Sequence, residues 1–132
     1  MIFVDSSFWI GLTMPRDNRH SAATTILGAH RDASLVTSNH VRGETWTLLR
    51  RRAGHRVAGR FLDYVEQAIR LRIVFVPEAL EDEALRWLRR HDEREYSFVD
   101  ATSFALMRSL RIREALAFDG DFAAAGFTEL RL

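Results

Sequence analysis

Four acids are spaced along this chain so that one edge of a parallel sheet can collect them. Asp5 ends the apolar run 1–4, and Asp119 ends the apolar run 115–118. Asp100 falls in the first turn of a helix opened by Ser97, and Glu44 lies at the border of the apolar stripe of a helix opened by Asn39. Carboxylates crowded into a partly buried site do not all stay ionised unless a cation compensates them. An all-oxygen set in a chain without cysteine suits a hard ion, Mg²⁺ or Mn²⁺. Such an ion acidifies a bound water and neutralises charge on a phosphoryl oxygen, which is most of what phosphodiester hydrolysis requires. Arg42, Arg50 and Arg51, with Arg52, Arg56 and Arg60 behind them, cluster in sequence beside Glu44 and are expected to hold the remaining phosphates, contacts that position a strand without reading its bases.

Each acid also has an ordinary structural use. Asp5 ahead of Ser6 and Ser7 can cap a helix, Asp100 can be the acid of a capping box, Asp119-Gly120 is a turn pair, and Asp121 can cap the segment after it. Glu44 alone reads as a solvated helix residue, the arginine run as a solvated face, and His40, His55 and His91 as surface or capping residues. The functional reading rests on the joint placement of the acids.

The elements that must place them are legible from pattern. Residues 1–4, 35–37, 73–76, 115–118 and 128–132 are short apolar runs expected as strands. Between them lie helical patterns: one after Asp5, one from Asn39 to the break at Gly54, one over 57–71, one opened by Pro77 with acids early and arginines late, and a nearly all-apolar one after the Ser97–Asp100 capping box. Strands alternating with helices predict a single α/β domain over 1–132 with a central, mainly parallel sheet. In such sheets ligands bind outside the carboxyl ends of the strands, where Asp5 and Asp119 both fall.

Composition narrows the classes. With 132 residues, 47% of them hydrophobic, the chain can bury a core unaided. It carries no apolar stretch long enough to span a bilayer and no signal-like start, so a cytoplasmic protein without membrane attachment is expected. All 19 basic residues are Arg; residues 1–72 hold 11 Arg against 6 acids and the remainder 8 against 12, so a basic region adjoins an acidic one. The absence of lysine disfavours an aspartate-based phosphatase, in which Asp5 or Asp119 would be a nucleophile beside a phosphate-binding lysine. A catalytically inactive RNA- or partner-binding module is the other alternative, and intact acids at every position speak against it.

The segments Met1-Ile-Phe-Val-Asp5-Ser-Ser-Phe-Trp, Asn39-His-Val-Arg-Gly-Glu44-Thr-Trp, Tyr96-Ser-Phe-Val-Asp100-Ala-Thr and Ala117-Phe-Asp119-Gly-Asp121-Phe resemble, in order and spacing, the motifs of PIN-domain nucleases. The likeness is to VapC-type toxins of bacterial toxin–antitoxin pairs and covers the whole chain. It implies a PIN-like three-layer α/β/α fold and a Mg²⁺- or Mn²⁺-dependent endoribonuclease. Asp5, Glu44, Asp100 and Asp119 would be catalytic, with Asp5, Asp100, Asp119 and Asp121 near the metal. Ser6, standing where the family often has Thr, would support these acids together with Ser97 and Thr102. The resemblance also implies cleavage of structured RNA, either tRNA or the sarcin–ricin loop of ribosomal RNA, leaving a 5′-phosphate and a 3′-hydroxyl. A homodimer and a VapB-type antitoxin are the partners it implies, and exposed apolar residues between Val57 and Trp87 are where they are expected to dock.

Overall fold

The computed structural model describes all 132 residues. Its strands are β1 (Ile2–Val4), β2 (Leu35–Ser38), β3 (Leu71–Val74), β4 (Glu114–Leu116) and β5 (Thr128–Glu129). The helices are α1 (Ser6–Thr13), α2 (His20–Ala29), α3 (Asn39–Ala53), α4 (His55–Gln67), α5 (Glu78–Arg90), α6 (Phe98–Leu110) and α7 (Asp121–Ala124). One five-stranded sheet runs in the order β3-β2-β1-β4-β5, and every neighbouring pair is parallel. Parallel strands need a crossover at each step, and β1 and β2 are buried at every residue, as strands covered on both faces must be.

From β1 the chain steps outward to β2 and β3, then returns past β1 to β4 and continues to β5. Right-handed crossovers place α1 to α4 on one face and α5 to α7 on the other, giving the expected α/β/α layers. The packing agrees: α1 meets α2 and α3, α3 meets α4, and α6 meets both α5 and α7. The direction of winding reverses between β1 and β4. At that switch point the connections diverge to opposite faces and leave a crevice beyond the strand ends.

Several boundaries differ from the sequence reading, for identifiable reasons. The strand expected at 73–76 is Leu71–Val74, because the register with β2 starts at Leu35 opposite Leu71. Val76 has already left the sheet, and its N–H donates to Asn39 Oδ1 at 2.9 Å. That bond also explains why Asn39 is not the N-cap of α3: Ser38 caps it, accepting the Val41 N–H at 3.0 Å, while the Asn39 amide holds the next strand's exit. The helix expected over 57–71 starts earlier, directly after Gly54 with φ +93°, and ends at Gln67. The strands expected at 115–118 and 128–132 are the shorter Glu114–Leu116 and Thr128–Glu129, and β2 extends one residue further, to Ser38.

The core is strongly aromatic. Phe3 of β1 stacks on Phe122 of α7, and Phe104 of α6 makes edge or stacked contacts with Trp87, Tyr96, Phe122 and Phe127. Across the sheet, Trp9 packs edge-on against Phe61 of α4. Phe104 is fully buried and sits one turn beyond Asp100 on the same helix, so the packing that anchors α6 also fixes where that acid stands. Phe104→Ala is expected to cost about 3–5 kcal/mol of unfolding free energy, read by chemical denaturation.

Candidate active site

The end of β1 delivers Asp5 into the crevice. Its backbone N–H donates to the Leu116 carbonyl at 3.0 Å, tying the end of β1 to the end of β4. Its side chain then splits its two oxygens. Oδ2 caps α1, accepting from the Ser7 N–H at 3.1 Å and the Ser7 hydroxyl at 2.8 Å. Ser7 Oγ in turn accepts the Phe118 N–H at 3.0 Å, stitching α1 to the loop after β4. Oδ1 is buried with no hydrogen-bond partner, the one such side-chain atom in the protein. A buried, half-satisfied carboxylate is costly to ionise. Burial accordingly pushes the Asp5 carboxyl from 3.8 up to about 7, against the lowering effect of the Ser7 bonds and with the negative charges of Asp100 and Glu44 adding to the rise.

Asp100 arrives from the opposite face. The Ser97 hydroxyl accepts the Asp100 N–H at 3.0 Å, and Asp100 Oδ2 accepts the Ser97 N–H at 3.0 Å, so the expected capping box is present. One Asp100 oxygen is thereby fixed to the helix start. Burial raises its carboxyl to about 6, and Asp121 and Glu44 contribute by repulsion. Glu44 comes from the first turns of α3, where Oε1 accepts the Ser6 hydroxyl at 2.5 Å. Ser6 therefore holds Glu44 toward the end of β1. Where α3 and α6 begin they touch, with the His40 and Phe98 rings edge-on at 5.6 Å.

Asp5, Glu44 and Asp100 thus share one electrostatic neighbourhood, with Asp121 next to Asp100. The two acids after β4 are engaged elsewhere. Asp119 is exposed and its Oδ1 pairs with Arg19 Nη1 at 3.0 Å, while the Arg19 guanidinium lies 5.3 Å from the centre of the Phe118 ring. Asp121 Oδ1 pairs with Arg94 Nε at 2.6 Å, and Arg94 Nη2 donates to the Asp119 carbonyl at 2.9 Å. Gly120, at φ +81°, passes so close under that guanidinium that a Cβ would stand 3.1 Å from it. As the side chains stand, no three acids converge closely enough to chelate an ion together.

The other side chains expected at the site make different contacts. Thr102 is buried, and its hydroxyl is spent on the Val99 carbonyl within α6 at 2.9 Å. Arg42 lies over the Phe75 ring at 5.5 Å, and Arg50 and Arg51 are exposed on the last turn of α3. Three residues of the site go unmarked by sequence pattern: Ser7, Arg19 and Arg94. The signal for Ser7 is its place as the second hydroxyl after Asp5. Nothing local marks Arg19 or Arg94, which sit in loops 100 and 27 residues from the acids they bind.

The donor set fits a hard divalent cation. It is all oxygen, it carries more negative charge than its surroundings compensate, and its innermost oxygen, Asp5 Oδ1, lacks any partner. Asp5 and Asp100 are the residues that would hold the ion, with Glu44 beside them.

Comparison with known proteins bears on the chain as a whole. Residues 2–128 match the PIN domain family. The chain is 56% identical to the "23S rRNA-specific endonuclease VapC20" of Mycobacterium tuberculosis strain CDC 1551 / Oshkosh, over 99% of this chain and 98% of that protein, and equally so to the protein of that name from strain ATCC 25618 / H37Rv. The crystal structure of Mycobacterium tuberculosis VapC20, described as a sarcin–ricin loop cleaving toxin, superposes with a TM-score of 0.94 at 54% identity over 100% of both chains.

The raised Asp5 carboxyl has a pH signature. Unfolded, Asp5 gives up its proton near 3.8; folded, it keeps it to about 7. Between those values the folded state binds more protons, so this group's contribution makes stability fall as pH rises through that window and level off above it. Asp5→Asn keeps a capping oxygen and removes the charge. In metal-free buffer the variant is expected to melt above the wild type at pH 8, with the gap closing toward pH 4, as read by differential scanning fluorimetry.

Proposed function

The chain belongs to the PIN-domain family, and from that premise we propose that it is a Mg²⁺- or Mn²⁺-dependent endoribonuclease that cuts the sarcin–ricin loop of large-subunit ribosomal RNA. The observation that carries this reading is the unpartnered Asp5 oxygen, buried in the switch-point crevice beside Asp100 and Glu44. The choice of ribosomal RNA over tRNA is supported by the full-length relatives, whose names specify 23S rRNA.

When bound, the ion supplies an acidified water and compensates charge on the cleaved phosphate. The protein's own residues do the rest. Asp5 and Asp100 hold their free oxygens toward the crevice, because the other oxygen of each is fixed to a helix start. Ser6 keeps Glu44 turned toward them, where it can accept a proton from an attacking water. Asp119 and Asp121 complete the acidic set once Arg19 and Arg94 turn to another anion. The phosphodiester of an RNA strand is the anion that the substrate itself brings to those two arginines.

We further assign the chain to a toxin–antitoxin pair acting in the cytoplasm to inhibit translation, with a VapB-type antitoxin and a second copy of the chain as partners. No helix is long and apolar enough to cross a membrane. Exposed apolar side chains in the segment expected to dock partners support this assignment: Tyr64, Ile69, Phe75 and Leu85 all present surface to solvent, and β3 leaves one sheet edge open.

Purified protein incubated with bacterial ribosomes or their total RNA plus Mg²⁺ is expected to yield one discrete new 5′ end in 23S rRNA, absent with EDTA. Wild-type protein that leaves the loop intact in that assay defeats the reading. Asp100→Asn, which removes charge at nearly constant volume, is expected to lower the cleavage rate at least about a hundredfold while leaving the melting transition cooperative. Mg²⁺ at a hundred times its dissociation constant is expected to stabilise the wild type by about 2.7 kcal/mol. Asp5→Asn is expected to lose that gain, as read by melting with and without the ion.

A further inference from the structure

Beside the acidic centre lies a polar cleft of about 240 Å³, reached through Ser6 and Ser7, the serines that bond Glu44 and Asp5. Ser6 and Asp119 form its inner end. Its outer walls are Asn18 and Arg19 from the α1–α2 loop and Leu48 and Arg52 from α3. On α3, Glu44, Leu48 and Arg52 succeed one another at four-residue intervals, so a single helix side runs from the acids to the outer end, roughly 12 Å in axial rise. Arg52 also lines a second, adjoining cleft with Arg16 and Pro15 across from Val57. The two clefts share Arg52 and make one groove between the α1–α2 loop and α3.

Charge along this groove is uneven. Arg19 is answered by Asp119, and Asp17 is a second acid in the same cleft, its carboxylate accepting the Arg19 backbone N–H at 2.8 Å. Arg52 and Arg16, both exposed, have no carboxylate partner in any ion pair of the structure. Two uncompensated guanidinium groups therefore face a groove whose inner end adjoins the acidic centre. A guanidinium presents a flat set of donors matched to phosphate oxygens and stays charged at every relevant pH.

We infer that this groove carries the RNA strand flanking the cleaved bond, with Arg52 and Arg16 holding successive phosphates outside the acidic centre. The inference rests on the nuclease reading and adds the strand's path. It moves the principal phosphate contacts from Arg50 and Arg51, which line neither cleft, to Arg52 and to a loop residue that sequence pattern does not mark.

The test uses full-length Arg52→Gln and Arg16→Gln variants, with Arg89→Gln of α5 as a control for loss of one exposed charge on the opposite face of the sheet. The probe is a synthetic RNA hairpin of the sarcin–ricin loop. Binding is read in EDTA by fluorescence anisotropy and cleavage in Mg²⁺ by initial rates. Each groove variant is expected to weaken binding about tenfold at moderate salt and to lower the slope of log affinity against log salt by about 0.7–0.9. KM should rise by a similar factor while kcat stays within about threefold, and Arg89→Gln should match the wild type. Groove variants that bind and cut like the wild type, or a loss equal to that of Arg89→Gln, overturn the inference and leave the groove to a protein partner. If the wild type binds but does not cut, groove-dependent binding still supports the strand path while the nuclease reading fails, so the two outcomes separate.

Discussion

The placement of one carboxylate organises this molecule. Asp5 is held where a parallel sheet reverses its winding, by a backbone bond to β4 and by a cap on α1, and it is buried there with half its hydrogen-bonding capacity unused. Burying a carboxylate in that condition works against folding. The fold carries it because aromatic packing flanks the sheet on both faces, with Phe3 of β1 on Phe122 on one and Trp9 against Phe61 on the other. The switch point also sets that oxygen beside the crevice left where the connections on either side diverge. Acid and crevice both derive from one topological fact.

The other charges arrange themselves around this centre in shells. Glu44 and Asp100 stand close enough to raise the Asp5 carboxyl further, and each is tethered by a serine: Ser6 for Glu44, Ser97 for Asp100. Farther out, Asp119 and Asp121 are matched by Arg19 and Arg94. Those two arginines neutralise the outer acids while leaving the inner ones uncompensated. The residual negative charge is concentrated at the depth of the crevice and the residual positive charge along its approach, an arrangement that suits a polyanion whose reacting phosphate must enter last.

Most of the fold is legible in the sequence because its signals are local. Apolar runs ending in Asp, a glycine break at Gly54 and a Ser97–Asp100 capping box need only neighbouring residues to be read, and each appears in the structure. Pattern misleads where a distant partner decides: β3 begins at Leu71 because of its register with Leu35, and Asn39 gives up the cap because its amide holds Val76. The site shows the same division. Asp5, Glu44 and Asp100 can be placed by strand and helix ends, whereas Arg19 and Arg94 act across 100 and 27 residues from unpatterned loops. The family resemblance implies Thr102 as a supporting hydroxyl; in a helix such a group readily turns back on the carbonyl of the preceding turn, as it does here.

Asp5 and Asp100 each give one oxygen to the start of a helix and keep the other for the crevice. In many small metal proteins the ligands are ordered by the ion, so that affinity is diminished by the work of assembling the site. Here the ordering is done by helix initiation, an event that belongs to folding. An ion captured there would displace protons and shed hydration water with little rearrangement of the inner backbone. The centre is in this sense a mould cast by two helices, its shape set without help from whatever fills it.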